Sequence, residues 1–144
     1  MDMKDRIVET FSPEETFELG RKIGEGAEPG SVFTLIGDLG VGKTVFTQGM
    51  ATGLGITEPV NSPTFTIVQI YEEGRCPFYH FDVYRLEDTD EFYAMGGEEY
   101  FENGICIIEW GEQIEEILPK GYTKITFSKS EENENYRELK IEKF

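Results

Sequence analysis

The chain is poor in cysteine, histidine and positive charge, and each shortage removes a class of protein. Of its 144 residues only two are cysteines, Cys76 and Cys106. They lie far apart in strand-like apolar runs, which points to buried free thiols in a reducing compartment and away from a disulfide framework or redox pair. A lone histidine, His80, with Cys76 as its nearby soft ligand, makes a poor zinc site. No apolar stretch approaches the roughly 20 residues needed to cross a bilayer. The start, Met1-Asp2-Met3-Lys4-Asp5-Arg6, is followed by no long apolar run, so the expectation is a cytoplasmic chain, neither exported nor membrane-spanning. Thirteen basic residues face 29 acidic ones, a net charge of −16. That balance opposes independent binding to DNA, RNA or an anionic membrane, and any RNA would have to be held by a partner. The acidic clusters at Glu14-Glu15, Glu72-Glu73, 87–91, Glu98-Glu99 and 131–134 read as solvated surface. The length suits one domain over residues 1–144, with no repeat or linker in view.

What is present is concentrated in eight residues, Gly37-Asp38-Leu39-Gly40-Val41-Gly42-Lys43-Thr44. They match the phosphate-cradling loop of P-loop nucleotide hydrolases at every constrained position. The glycines let successive amides turn inward around phosphate oxygens, the Lys43 ammonium suits the β- and γ-phosphates, and the Thr44 hydroxyl suits Mg²⁺. The preceding Val32-Phe33-Thr34-Leu35-Ile36 is apolar and β-branched, as a buried strand should be. Val45 to Leu54 reads as a helix with Gly53 and Gly55 at its end, so the loop and the adjoining Val45 sit where a helix dipole helps to hold phosphate.

Around this unit the expected fold is α/β: a single P-loop NTPase domain whose central mixed sheet, a parallel core plus antiparallel strands, is flanked by helices. Ser12-Pro13-Glu14-Glu15 has capping-box spacing and starts a helix that runs toward Gly24 and Gly26. Phe65 to Tyr71 and Pro77 to Val83 read as strands joined by a hairpin turn at Glu72-Glu73-Gly74-Arg75. Thr89 or Asp90 caps a short helix ending near Gly96-Gly97, continued after a break by Glu98 to Glu102. Ile105-Cys106-Ile107-Ile108 suits a central strand, and Lys124 to Ser128 and Tyr136 to Glu142 suit two more.

A phosphate loop needs a second carboxylate from a neighbouring strand to hold Mg²⁺ or its waters. Glu109, at the end of the Ile105–Ile108 run, occupies that position, where Asp is more usual. In His80-Phe81-Asp82-Val83-Tyr84-Arg85 the alternation puts His80, Asp82 and Tyr84 on one strand face and Phe81 and Val83 on the other. His80 reads as a hydrogen-bonded structural imidazole. Asp82 reads either as a carboxylate that orients water or a Mg²⁺-bound water, or as a salt-bridge partner of Arg85. Ser62-Pro63-Thr64, after the loop's helix, has the character of a γ-phosphate-sensing switch. Trp110 reads as core packing, and as a fluorescent reporter if it is partly exposed.

Taken in order, Gly-Asp-Leu-Gly-Val-Gly-Lys-Thr, Asn-Ser-Pro-Thr-Phe-Thr, His-Phe-Asp-Val-Tyr-Arg-Leu and Ile-Glu-Trp make the chain resemble the TsaE (YjeE) family over nearly its whole length. The resemblance implies a slow Mg²⁺-dependent ATPase that assists formation of threonylcarbamoyladenosine (t6A) next to the anticodon of transfer RNA, working with TsaB and TsaD. It implies that Thr44 and Glu109 bind Mg²⁺, that Gly40 to Thr44 hold the phosphates of ATP, and that Asp82 supports hydrolysis alongside Lys43. It further implies a switch at Ser62 and Thr64 and nucleotide contacts from Ser12 and Arg137, with Tyr136 standing where the family has Gly. A nucleotide-gated regulatory module without essential hydrolysis is the alternative. A guanine-nucleotide switch lacks its Asn-Lys-x-Asp segment here, and a small-molecule kinase lacks an Arg-rich lid.

Overall fold

A computed structural model describes residues 5–37, 42–60, 67–84 and 86–144. The readings at Asp38, Leu39, Gly40, Val41, Ser62, Thr64 and Arg85 lie outside the described residues. The strands are β1 (Arg6–Thr10), β2 (Val32–Ile36), β3 (Val68–Tyr71), β4 (Phe78–Asp82), β5 (Ile105–Glu109), β6 (Thr123–Lys129) and β7 (Arg137–Lys143). The helices are α1 (Pro13–Gly26), α2 (Lys43–Gly53), α3 (Thr89–Ala94) and α4 (Tyr100–Asn103), with 3-10 segments at Gly97–Glu99 and Gly111–Ile117.

The strands form one seven-stranded sheet in the order β1-β7-β6-β2-β5-β4-β3. β6, β2, β5 and β4 run parallel, while β3 at one edge and the β7–β1 pair at the other are antiparallel. The mixed sheet expected from the sequence is therefore the one observed. β5 is buried at every residue and β2 at all but its last. Such strands must be covered on both faces, and they are. Phe33, Leu35, Phe78, Ile105 and Ile107 pack toward Phe46 and Met50 of α2. Val32, Phe81, Cys106 and Ile108 pack toward Phe92, Phe101 and Ile114 on the other side.

α1 begins as its sequence dictates. Ser12 is the N-cap and its side chain accepts from the Glu15 amide at 3.1 Å. The reciprocal bond is displaced by one residue: the Glu15 carboxylate accepts from the Phe11 amide at 2.9 Å. α3 is capped one residue earlier than expected, by Asp88, which accepts from the Glu91 amide at 3.1 Å.

α1 ends at Gly26 and α2 at Gly53, where glycines were expected to end them, and glycines along both helices also join the two. A Cβ on Gly20 would lie 2.3 Å from the Phe46 carbonyl oxygen, and one on Gly24 would lie 2.4 Å from that of Met50. Reciprocally, a Cβ on Gly49 would meet the Phe17 oxygen at 2.1 Å, and one on Gly53 the Arg21 oxygen at 2.2 Å. Spacing of four residues puts each pair on one helix face. Contacts that advance together along both helices mean that α1 and α2 are parallel, so their N-termini share one end of the molecule. At the other end the loop between β3 and β4 closes both: the Arg75 guanidinium donates to the Gly24 and Ala27 carbonyls at 2.7 and 2.6 Å, and the Arg75 amide donates to the Leu54 carbonyl at 2.9 Å.

Cys76 and Cys106 are both free thiols, but only Cys106 is buried, Cys76 being half-buried. Burial pushes the Cys106 thiol up from its ordinary 9.0 to about 12. Between those values the unfolded chain loses a proton that the folded one keeps, so this group lowers stability as pH rises above 9.0. At pH 8, iodoacetamide is expected to alkylate Cys76 well before Cys106 in the folded protein, and both at comparable rates in urea. Equal rates in the folded protein, read by mass spectrometry, would contradict the packing around Cys106.

Candidate functional site

Because α1 and α2 are parallel, their first turns flank the same cleft, at the C-terminal ends of the parallel strands. The cleft has a volume of about 300 Å³ and is lined by Ser12, Pro13 and Thr16 of α1, by Gly42, Lys43, Thr44 and Val45 at the start of α2, and by Glu109, Asn135 and Arg137. Gly42 is the N-cap of α2 with φ +97°, a left-handed conformation that glycine adopts without strain and that leaves no side chain over the first-turn amides.

Lys43 is buried, 6% exposed, and its Nζ donates to the Gly37 carbonyl at 2.7 Å. The same ammonium lies 3.8 Å from Glu109 Oε1 and 5.3 Å from the centre of the Trp110 ring. Glu109 ends β5 and lies opposite Leu35 of β2 on one side and Asp82 of β4 on the other. Its second oxygen, Oε2, is 2.7 Å from His80 Nε2. Directly after it, Trp110 has φ +64°, the one non-glycine residue with positive φ among the described residues. For a bulky side chain that is strain of the kind that collects at functional sites. The turn brings the half-buried indole over Lys43 and against Tyr84, with ring centres 4.8 Å apart. It also feeds the chain into the 3-10 segment at Gly111, where a Cβ would lie 2.7 Å from the Thr34 side chain.

The structure thus brings Ser12, Gly42, Lys43, Thr44, Val45, Glu109 and Arg137 around one cleft, with Gly37 tied to it through Lys43. Asp82 does not line it; this half-buried residue accepts from the Tyr84 amide at 3.0 Å, opposite Glu109 in register. The sequence reading missed Pro13, Thr16 and Asn135. Thr16 follows Ser12 by one helical turn and so shares its face, a spacing that was available. Asn135 lies in the turn between β6 and β7, which the charged residues around Glu131 to Asn135 signal, but nothing local places that turn at the cleft. The partner of His80 was missed as well, since Glu109 lies 29 positions away in sequence. No group of three or more His, Cys, Asp or Glu suited to a metal occurs among the described residues. No helix among them is long and apolar enough to cross a membrane.

A family profile described as "Threonylcarbamoyl adenosine biosynthesis protein TsaE" matches residues 10–139. The chain belongs to the TsaE family. A TsaE protein of Bacillus subtilis, named for tRNA threonylcarbamoyladenosine biosynthesis, is 48% identical over 133 residues, covering 92% of this chain and 83% of its own length. A TsaE of Treponema pallidum is 44% identical over 110 residues, covering 76% of this chain and 81% of its own. The crystal structure of Bacillus subtilis YdiB superposes with a TM-score of 0.79 at 40% identity, covering 98% of this chain and 87% of that one. The profile match at residues 10–139 spans both first turns of the cleft and the strand that carries Glu109.

Proposed function

We propose that this TsaE-family chain binds Mg²⁺-ATP and hydrolyses it slowly in the cytoplasm, in support of t6A formation on transfer RNA together with TsaB and TsaD. The observation that carries the reading is the meeting of Lys43 and Thr44, at the start of α2, with the Glu109 carboxylate in one cleft, 3.8 Å separating Lys43 Nζ from Glu109 Oε1. A helix start with free amides and an ammonium is suited to phosphate. The exposed Thr44 hydroxyl and the Glu109 carboxylate are hard oxygen donors, the set Mg²⁺ takes when phosphates complete its shell. Bound there, Mg²⁺ supplies neutralisation of phosphate charge. Lys43 holds phosphate oxygens, Ser12, Asn135 and Arg137 flank the nucleoside end, and Asp82 acts from beside Glu109. The net charge of −16 supports a division of labour in which partners hold the transfer RNA.

With Mg²⁺ present, ATP hydrolysis is expected to rise several-fold when TsaB and TsaD are added, measured as phosphate release. Absence of hydrolysis with and without them, or no retention of either partner in a pull-down with ATP, would remove this reading. One observation favours the regulatory module as a second reading: Asp82, expected to support hydrolysis, is outside the cleft lining and held by the Tyr84 amide. A hydrolysis-dead variant that binds ATP and sustains repeated rounds of modification would select it.

A further inference from the structure

His80 is 1% exposed on β4, and its backbone partner on β5 is Ile107, two residues before Glu109 on the same sheet face. The imidazole reaches diagonally to Glu109, with Nε2 2.7 Å from Oε2. A carboxylate oxygen accepts, so Nε2 carries the proton of this bond. The other ring nitrogen, Nδ1, is buried with no hydrogen-bond partner among the described residues. Leaving a buried polar atom unpartnered is costly, and an apolar side chain would fill the same space without that cost. Local packing therefore does not account for an imidazole here; the bond from its other nitrogen does.

The last torsion of a glutamate side chain is broad and two-fold, so nothing intrinsic decides which way its oxygens face. The bond from Nε2 fixes Oε2 on the His80 side, and Oε1 lies on the side of Lys43, 3.8 Å from Nζ. From this we infer that His80 is a positioning residue: its Nε2–H holds Oε2 of the Glu109 carboxylate so that Oε1 faces the cleft. The inference rests on the reading of Glu109 as the acid that meets Mg²⁺. Outer groups that orient metal-binding carboxylates typically cost about 10–100-fold in metal affinity when removed.

The test uses amide isosteres. In His80→Gln the side-chain nitrogen falls where Nε2 lies, within reach of Glu109; in His80→Asn it falls where Nδ1 lies, out of reach. Mg²⁺ is titrated into each full-length variant saturated with ATP, by calorimetry, and ATP binding without metal is measured in EDTA. His80→Asn and His80→Leu are expected to weaken Mg²⁺ about 10-fold or more. His80→Gln should stay within roughly three-fold of the parent, with metal-free ATP binding unchanged throughout. Parent-like Mg²⁺ affinity in His80→Asn, or equal loss in His80→Gln and His80→Asn, would overturn the inference. Loss of the fold in both isosteres would do so too, by assigning His80 a purely structural role. Glu109→Gln, run alongside, separates the two failures: if it leaves Mg²⁺ affinity unchanged, the metal reading of Glu109 falls and takes this inference with it. If it weakens Mg²⁺ while His80→Asn does not, only the role of His80 falls.

Discussion

In a Lys43→Ala variant, Mg²⁺-ATP turnover is expected to fall by about 100-fold or more, the scale seen when one preorganised donor to developing charge is removed. Phosphoryl transfer asks little covalent chemistry of the protein and much charge stabilisation, so losing the ammonium should cost rate directly. The side chain is placed for that task by the Gly37 carbonyl at 2.7 Å, the Trp110 ring at 5.3 Å and Glu109 at 3.8 Å. Among the described residues lining the cleft the only other cation is Arg137, far along the chain on β7, so no neighbour stands in for it. Lys43→Arg should not rescue, because a planar fork replaces a compact charge in a buried slot. Single-turnover phosphate release, with circular dichroism to establish folding, checks the prediction. Turnover within three-fold of the parent in a folded Lys43→Ala protein would contradict the assignment.

The second large effect concerns the frame of the cleft. Gly49→Ala places a Cβ 2.1 Å from the Phe17 carbonyl oxygen, and both atoms belong to helix backbone that cannot rotate out of the way. The helices must separate or shift, and overpacking of this kind costs roughly 3 kcal/mol or more. For a chain of this size that corresponds to a fall in melting temperature of about 10 °C. Since α1 carries Ser12 and Thr16 to the cleft while α2 carries Lys43 and Thr44, nucleotide affinity should weaken in the same variant. The control is Gly30→Ala, which strains a φ of +97° but meets nothing within 4 Å and should be milder. Equal melting temperatures for the two variants would show that the helices do not touch through glycine.

How much was legible in advance depended on the range over which each feature acts. β2 and β5 were plain because both are apolar runs buried on two faces, and that pattern is carried by a few adjacent residues. The start of α1 was equally plain, since Ser12, Pro13 and Glu15 satisfy a cap within one turn. β1 was not foreseen: its five residues carry charge at Arg6 and Glu9 and lie at the sheet edge, where a strand needs no apolar face. Gly24 and Gly53 marked the ends of helices that do stop at Gly26 and Gly53, but along the chain a glycine shows only its lack of helical preference and not its contacts. What each touches, Met50 and Arg21, lies on another helix. The outward displacement of Asp82 from the cleft could not be read from strand alternation, which assigns a face and not a depth.

The sequence by itself determined the chemistry on offer: a glycine-rich turn with Lys43 and Thr44 after a buried strand, an acid at the end of another, and a net charge of −16. These are local properties, set by residue type and by periods of two or four positions. Only the tertiary structure decided that Glu109 stands between Lys43 and His80, that Ser12 joins the start of α2, and that both helices point the same way. Those relations follow from the order of strands in the sheet and from backbone meeting backbone at Gly20, Gly24, Gly49 and Gly53. Such contacts join segments tens of residues apart, and neither segment alone specifies them.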